Sequence, residues 1–174
     1  MKKCTLFSVG KLGKAPVPTR SVVSSINLAM YLGKWYEIAR FNHSFEKNLV
    51  GVSANYSLKA NGEIEVLNSG YLLNWNGKFK SAKGKAYQPN AQYGGWLKVS
   101  FFLCFYADYY LLELDTKNYQ YALVGSKSEQ YLWILSRTPT ISVEIKEKLL
   151  QKAKELNYDI SKLIWVPQKE ESLS

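Results

Sequence analysis

The chain has 174 residues, 47% hydrophobic and 21% charged, with a net charge of +9. That is the length and composition of one globular domain with one core, and no run approaches the ~18 apolar residues of a membrane-crossing helix. Two distant cysteines, Cys4 and Cys104, and a single histidine do not make a metal-ligand spacing, and scattered lysines argue against a nucleic-acid-binding arm. The aromatic content of 14%, with 13 Tyr and 5 Trp, leans toward pleated, half-buried β structure.

Residues 1–26 carry Pro16 and Pro18 with Gly10 and Gly13 and show no periodicity, so they read as an arm that is surface-bound or disordered. Cys4 follows Met1-Lys2-Lys3 directly, and Thr5-Leu6-Phe7-Ser8-Val9-Gly10 is shorter than the ~7–15 apolar residues of a secretory signal. The expectation is that this chain shows no signal peptide or lipid-attachment motif. It either starts downstream of a removed signal or is cytosolic.

From Tyr31 to Arg137 strand-like segments alternate with turn signals. The predicted strands are 34–42, 51–60, 63–73, 78–88, 95–102, 105–115, 119–125 and 131–137. Ala60-Asn61-Gly62 and Asn76-Gly77 supply the positive φ that tight hairpins need. Eight strands in meander order can close on themselves, which removes exposed edges and leaves a lumen sized for one small ligand. After Pro139 the period changes. Ser142 can cap a helix, Glu144 suits its first turn, and Ile145, Leu149, Ala153 and Leu156 share one helical face. Leu163-Ile164-Trp165-Val166 reads as a short ninth strand before Pro167. The predicted fold is therefore all-β: an eight-stranded antiparallel up-and-down β-barrel with a C-terminal α-helix and a short ninth strand over 27–168, then a polar tail at 169–174.

Gly33-Lys34-Trp35-Tyr36-Glu37-Ile38-Ala39-Arg40 resembles the first signature of the lipocalins, Gly-x-Trp at the start of the first strand. Leu114-Asp115-Thr116 with Tyr119 and Ala122 is similar to the second, and Leu135-Ser136-Arg137-Thr138-Pro139 resembles the third. All three occur in order and a helix follows. The wording looks closest to the bacterial lipocalins, outer-membrane lipoproteins grouped with apolipoprotein D, which implies a place in the cell envelope. The resemblance implies that Gly33, Trp35, Asp115 and Arg137 are structural, with Arg137 lying across the Trp35 indole to seal the barrel, a cation–π pair worth roughly 0.5–2 kcal/mol.

With Trp35 inside, strand alternation puts Glu37 and Ala39 on the inner face. Comparison with the family places Ala54, Tyr56 and Leu58 inside on the second strand, Ile64 and Val66 on the third, and Leu97, Val99 and Phe101 on the fifth. Tyr131, Trp133 and Leu135 share the inner face of the eighth. Ala82, Gly84 and Ala86, and Ala122 and Val124, complete the wall. The sixth strand has Tyr on both faces, where a bulge would switch parity, and the family comparison favours Tyr106 at the pocket. Glu37, deep in the barrel, needs a partner or a raised pKa, with Arg137 or backbone groups as candidates.

An apolar tube with phenol and indole tips suits an acyl chain with a polar head. The expected function is binding, storage or transport of a fatty acid, lysophospholipid or similar amphiphile, contacted by Ala54, Tyr56, Val66, Val99, Phe101, Tyr106 and Trp133, with no cofactor, metal or catalytic residue. Two alternatives stay open: a lipocalin-type enzyme such as an isomerase with Cys104 as nucleophile, and a structural barrel filled by its own side chains. At the mouth, Phe45, Leu49, Trp75, Phe102, Leu103 and Phe105 with Lys47, Lys78, Lys80 and Lys127 suit either an anionic membrane surface or a homodimer face.

Overall fold

A computed structural model describes residues 15–102 and 105–169, with the backbone alone at Phe102. Cys4, Leu103, Cys104 and the first part of the N-terminal arm lie outside the described residues. Eight antiparallel strands run in meander order: β1 Gly33–Phe41, β2 Leu49–Leu58, β3 Ile64–Leu72, β4 Phe79–Tyr87, β5 Trp96–Phe102, β6 Phe105–Leu114, β7 Tyr121–Gly125 and β8 Leu132–Ser136. β8 pairs with β1, and β1 with β2, so the sheet closes into a barrel. β9, Leu163–Trp165, adds to the far part of β1 through Ala39↔Trp165. Closure gives each of the eight meander strands a neighbour on both sides, and β9, paired with β1 alone, is left as an outer edge.

Two short elements were not legible in the sequence. α1, Leu28–Tyr31, is a single turn capped by Asn27, whose side chain accepts from the Met30 N–H, and a 3-10 turn spans Ile160–Lys162. α2, Val143–Glu155, starts where expected: Ser142 Oγ accepts from the Ile145 N–H at 3.3 Å. Its Leu149 and Ala153 are fully buried against the outer barrel wall with Ile38, Leu123, Leu132 and Ile134.

Two apolar clusters result, one on each side of the sheet. The inner one gathers Trp35, Tyr56, Ile64, Val66, Ala86, Leu97, Leu111, Ala122, Val124 and Leu135. The outer one lies beneath α2. Residues 15–26 lie along the barrel rather than away from it. Val23 donates to the Leu111 carbonyl at 2.9 Å, and Gly94 and Gly95 donate to Ser24 and Val23. A Cβ at either glycine would come within 2.7–2.8 Å of this segment, so the close approach needs glycine.

Bulges decide which residues face inward. The β1–β8 register shifts between Glu37 and Ala39. Glu37 therefore faces the lumen, but Ala39 does not, contrary to the alternation drawn from Trp35: it is buried in the outer cluster. The extra residue brings Arg40 to the inside instead. Leu58, expected inside, is 54% exposed. It lies beyond Tyr56, the partner of Gly33 at the start of β1, so no β1 residue covers it.

Candidate functional site

The closed end is built around Trp35. Its indole Nε1 donates to the Tyr31 carbonyl at 2.8 Å. The Arg137 guanidinium lies 3.9 Å over the ring and donates to the carbonyls of Lys34, Met30, Leu32 and Tyr119 at 2.6–3.2 Å. Gly33 sits at φ +93, a left-handed backbone, and a Cβ there would lie 3.4 Å from Arg137. Asp115 organises the β6–β7 turn, accepting from the N–H groups of Lys117, Asn118 and Gln120. These four residues are structural: together they tie the ends of several strands to one another.

Above this plug, three tyrosines form a floor. Tyr109 Oη lies 2.6 Å from Tyr31 Oη and 2.9 Å from Tyr56 Oη. Burial raises all three phenols, Tyr56 to about 12, so they remain neutral hydrogen-bonding groups.

Over the floor lie two chambers that share wall residues. The inner one, about 130 Å³, is lined by Ala54, Tyr56, Val66, Val99, Phe101 and Trp133 among others. The outer one, about 600 Å³, reaches the mouth and adds Lys47, Leu49, Val52, Leu72, Lys80 and Phe105. Of the seven residues expected to contact a ligand, six therefore meet around the inner chamber. Tyr106 does not. The register Val99↔Ala107 and Leu97↔Tyr109 turns Ala107 and Tyr109 inward, and Tyr106 packs outside against Tyr87 with Lys85 over its ring. A shift between Val99 and Phe102 sets this parity. The lumen is thus filled in its lower half and hollow above.

A buried polar cluster was missed in the sequence. Glu46, on the β1–β2 loop, folds into the lumen and lines both chambers with Asn68. It accepts from Trp133 Nε1 at 3.2 Å and lies 3.0 Å from His43 Nε2. The Glu46 carbonyl accepts from Arg40. Arg40 Nη1 stands 3.3 Å from Glu37 Oε1, so the partner of Glu37 is Arg40, not Arg137. Burial pushes Glu37 well above the usual carboxylate range, nearby Glu46 adds to this, and Arg40 opposes it. Burial alone would also raise Glu46, but His43, the Trp133 N–H and Arg40 outweigh it and hold that carboxylate low. Beyond these ion-pair contacts, His43 Nδ1 and Asn68 Oδ1 have no hydrogen-bond partner among the described residues. The loop origin of Glu46 and His43 hid this cluster. Its only sequence signal was the unmatched inward Glu37.

At the mouth, Phe45, Leu73, Phe79 and Phe105 are more than half exposed. His43, Phe45, Tyr131 and Trp133 stack with centroids 3.9–6.5 Å apart. Trp75, expected as a mouth tip, instead seats on Gly51: a Cβ there would come 2.3 Å from its ring.

Comparison with known proteins agrees with this architecture. A family model described as a lipocalin-like domain matches residues 26–168. The chain is 48% identical to outer membrane lipoprotein Blc of Vibrio cholerae over 165 residues, 95% of each chain. It is 47% identical to outer membrane lipoprotein Blc of Escherichia coli K12, covering 88% of this chain and 87% of that one. The solved structure of insecticyanin from the tobacco hornworm Manduca sexta superposes with a TM-score of 0.69 at 23% identity, covering 91% and 88%. A sealed, meander-ordered barrel with a hollow apolar upper half, a flanking helix and this match over most of its length place the chain in the lipocalin family, whose common property is the binding of small hydrophobic ligands.

Proposed function

We propose that the chain carries a single-tailed amphiphile, a fatty acid or lysophospholipid, with the tail in the inner chamber and the headgroup in the outer one. The observation that carries this reading is the lining of two chambers that share wall residues: mostly aliphatic and aromatic side chains below, with Glu37, Glu46, Asn68 and Asp108 among them, and Lys47 and Lys80 above. Lysine ammonium groups suit a phosphate or carboxylate. The waist favours the lysophospholipid of the two. Ionised Glu46 and the Asn68 carbonyl accept a glycerol hydroxyl, whereas Glu46 repels a carboxylate. Carriage without turnover is part of the proposal, and alkylation of the thiols leaves it intact. Outer-membrane relatives and the basic, apolar mouth make an anionic bilayer the partner for loading and delivery.

Trp133 reports on the site, because its indole borders the inner chamber and bonds Glu46. Titration with a lysophospholipid changes tryptophan emission, and Trp133→Phe removes most of the change. Emission that does not respond to any single-chain lipid, or that responds equally in the variant, counts against the proposed site.

A further inference from the structure

Resting on the carrier reading, we propose that the tyrosine floor recognises oxygen on the tail of the ligand: the chain that enters the inner chamber ends in a hydroxyl, held by Tyr56 and Tyr109. Three neutral phenols bring three O–H groups to the floor. Two hydrogen bonds join them, Tyr31 to Tyr109 and Tyr56 to Tyr109, so one O–H is left over. Tyr31 does not hold it. That side chain is fully buried, Tyr109 is the partner of its hydroxyl, and a buried donor is satisfied where an acceptor stands beside it. Tyr31 therefore donates to Tyr109. Tyr56 and Tyr109 then share one bond and hold two protons. Whichever of the two donates to the other, the remaining O–H belongs to a residue that lines the inner chamber. The floor thus closes the plug below and presents one donor above. Tyr31 itself is fixed by its packing on Trp35, with 5.0 Å between ring centroids, so the donor is held in place before a ligand arrives.

A methyl group pressed on this floor would strip the leftover O–H of water and give it no acceptor. A hydroxyl gives it one, and donates in turn to a phenol oxygen. The lining of the inner chamber includes no lysine or arginine among the described residues, so the oxygen it takes is uncharged. Across the ladders Tyr56 faces Val66 and Tyr109 faces Leu97, so neither phenol has a polar side chain opposite that would compete for its proton. Register places the hydroxyl along the tail. Lys80 pairs with Gly70 and Tyr56 with Val66, so headgroup and floor lie four residues apart along β3, about 13 Å at ~3.3 Å per residue. An extended chain covers this in about eleven bonds, given the ~3.6 Å that three backbone bonds span, which sets the hydroxyl about twelve carbons down the tail.

The test is calorimetric titration with two lysophosphatidylcholines of equal tail length, ω-hydroxydodecanoyl and tridecanoyl, the second carrying a methyl group in place of the hydroxyl. Wild type binds the hydroxylated lipid more tightly, on the order of tenfold, as one hydrogen bond to an otherwise unmatched buried donor predicts. Tyr56→Phe or Tyr109→Phe alone leaves an O–H facing the chamber and keeps most of this preference. Combined, the two substitutions remove it while the tridecanoyl lipid still binds. In wild type whose tyrosines are labelled with carbon-13 at Cζ, the Tyr56 or Tyr109 resonance moves with the hydroxylated lipid and not with the other, a readout that does not depend on the stability of the double variant. Equal or tighter binding of the tridecanoyl lipid overturns the proposal, with the capacity of the floor met by water or by a closed ring of the three hydroxyls. A preference that survives the double substitution, or tyrosine resonances that answer both lipids alike, overturns it too and leaves the carrier reading standing. Wild type that takes up neither lipid overturns the carrier reading itself.

Discussion

The two ends of the barrel treat buried polar groups in opposite ways. At the closed end they are paired: the Trp35 indole N–H and the Arg137 guanidinium end on backbone carbonyls, and the tyrosine hydroxyls on each other. At the open end Glu37 and His43 are held by ion-pair contacts with Arg40 and Glu46, and His43 Nδ1 and Asn68 Oδ1 make no hydrogen bond among the described residues, beside a hollow chamber. Unmet hydrogen-bonding capacity in a buried site is costly to stability. Its concentration at one end divides the molecule into a plug that holds the fold and a rim that is free to meet a ligand.

Breaking the plug therefore has the largest effect. Trp35→Ala removes a fully buried indole, and chemical denaturation is expected to show a loss of about 3–5 kcal/mol. Arg137→Ala leaves several carbonyls and the indole face without a partner and costs about 2–3 kcal/mol by the same measurement. Either variant within error of wild type would place the seal elsewhere. Tyr109→Phe breaks both hydroxyl contacts of the floor and costs about 1–2 kcal/mol, with Tyr31 and Tyr56 left to pair with a ligand or water.

The rim differs from the plug in sign. Burial raises Glu37, so the folded chain holds that proton more tightly than the unfolded chain does. The stability this contributes is full below the unfolded value of about 4.5 and is lost as pH rises through the folded one. Glu37→Gln keeps a neutral side chain and removes the loss, so its melting temperature falls less than that of wild type as pH increases. Glu46 runs the other way, losing its contribution as pH falls. Parallel pH profiles for wild type and Glu37→Gln would show that Glu37 is ionised in the folded state.

Most of the plug was legible in the sequence and much of the rim was not, for a physical reason. Strand existence follows from alternation and from turn residues such as Asn61-Gly62, and every strand lies within about two residues of its predicted bounds, the ordinary scatter of such boundaries. Inner faces followed on β3, β7 and β8, where the side-chain period is unbroken. They failed at Ala39 and Tyr106, each beside a register shift. A bulge adds one residue to one strand and reverses every face beyond it, and nothing in the local pattern announces it. Glu46 and His43 sit in a loop, where no period assigns a direction. The Glu46–Trp133 contact joins residues 87 positions apart, which only the closed barrel brings together.

Native mass spectrometry of the chain purified without detergent tests the central claim most directly. A carrier is expected to fly with one single-chain lipid bound per molecule, or to take up one added lysophospholipid stoichiometrically. A chain that appears only at its bare mass and gains none when lysophospholipid is supplied would contradict the account, showing that the chambers above the tyrosine floor do not hold a lipid.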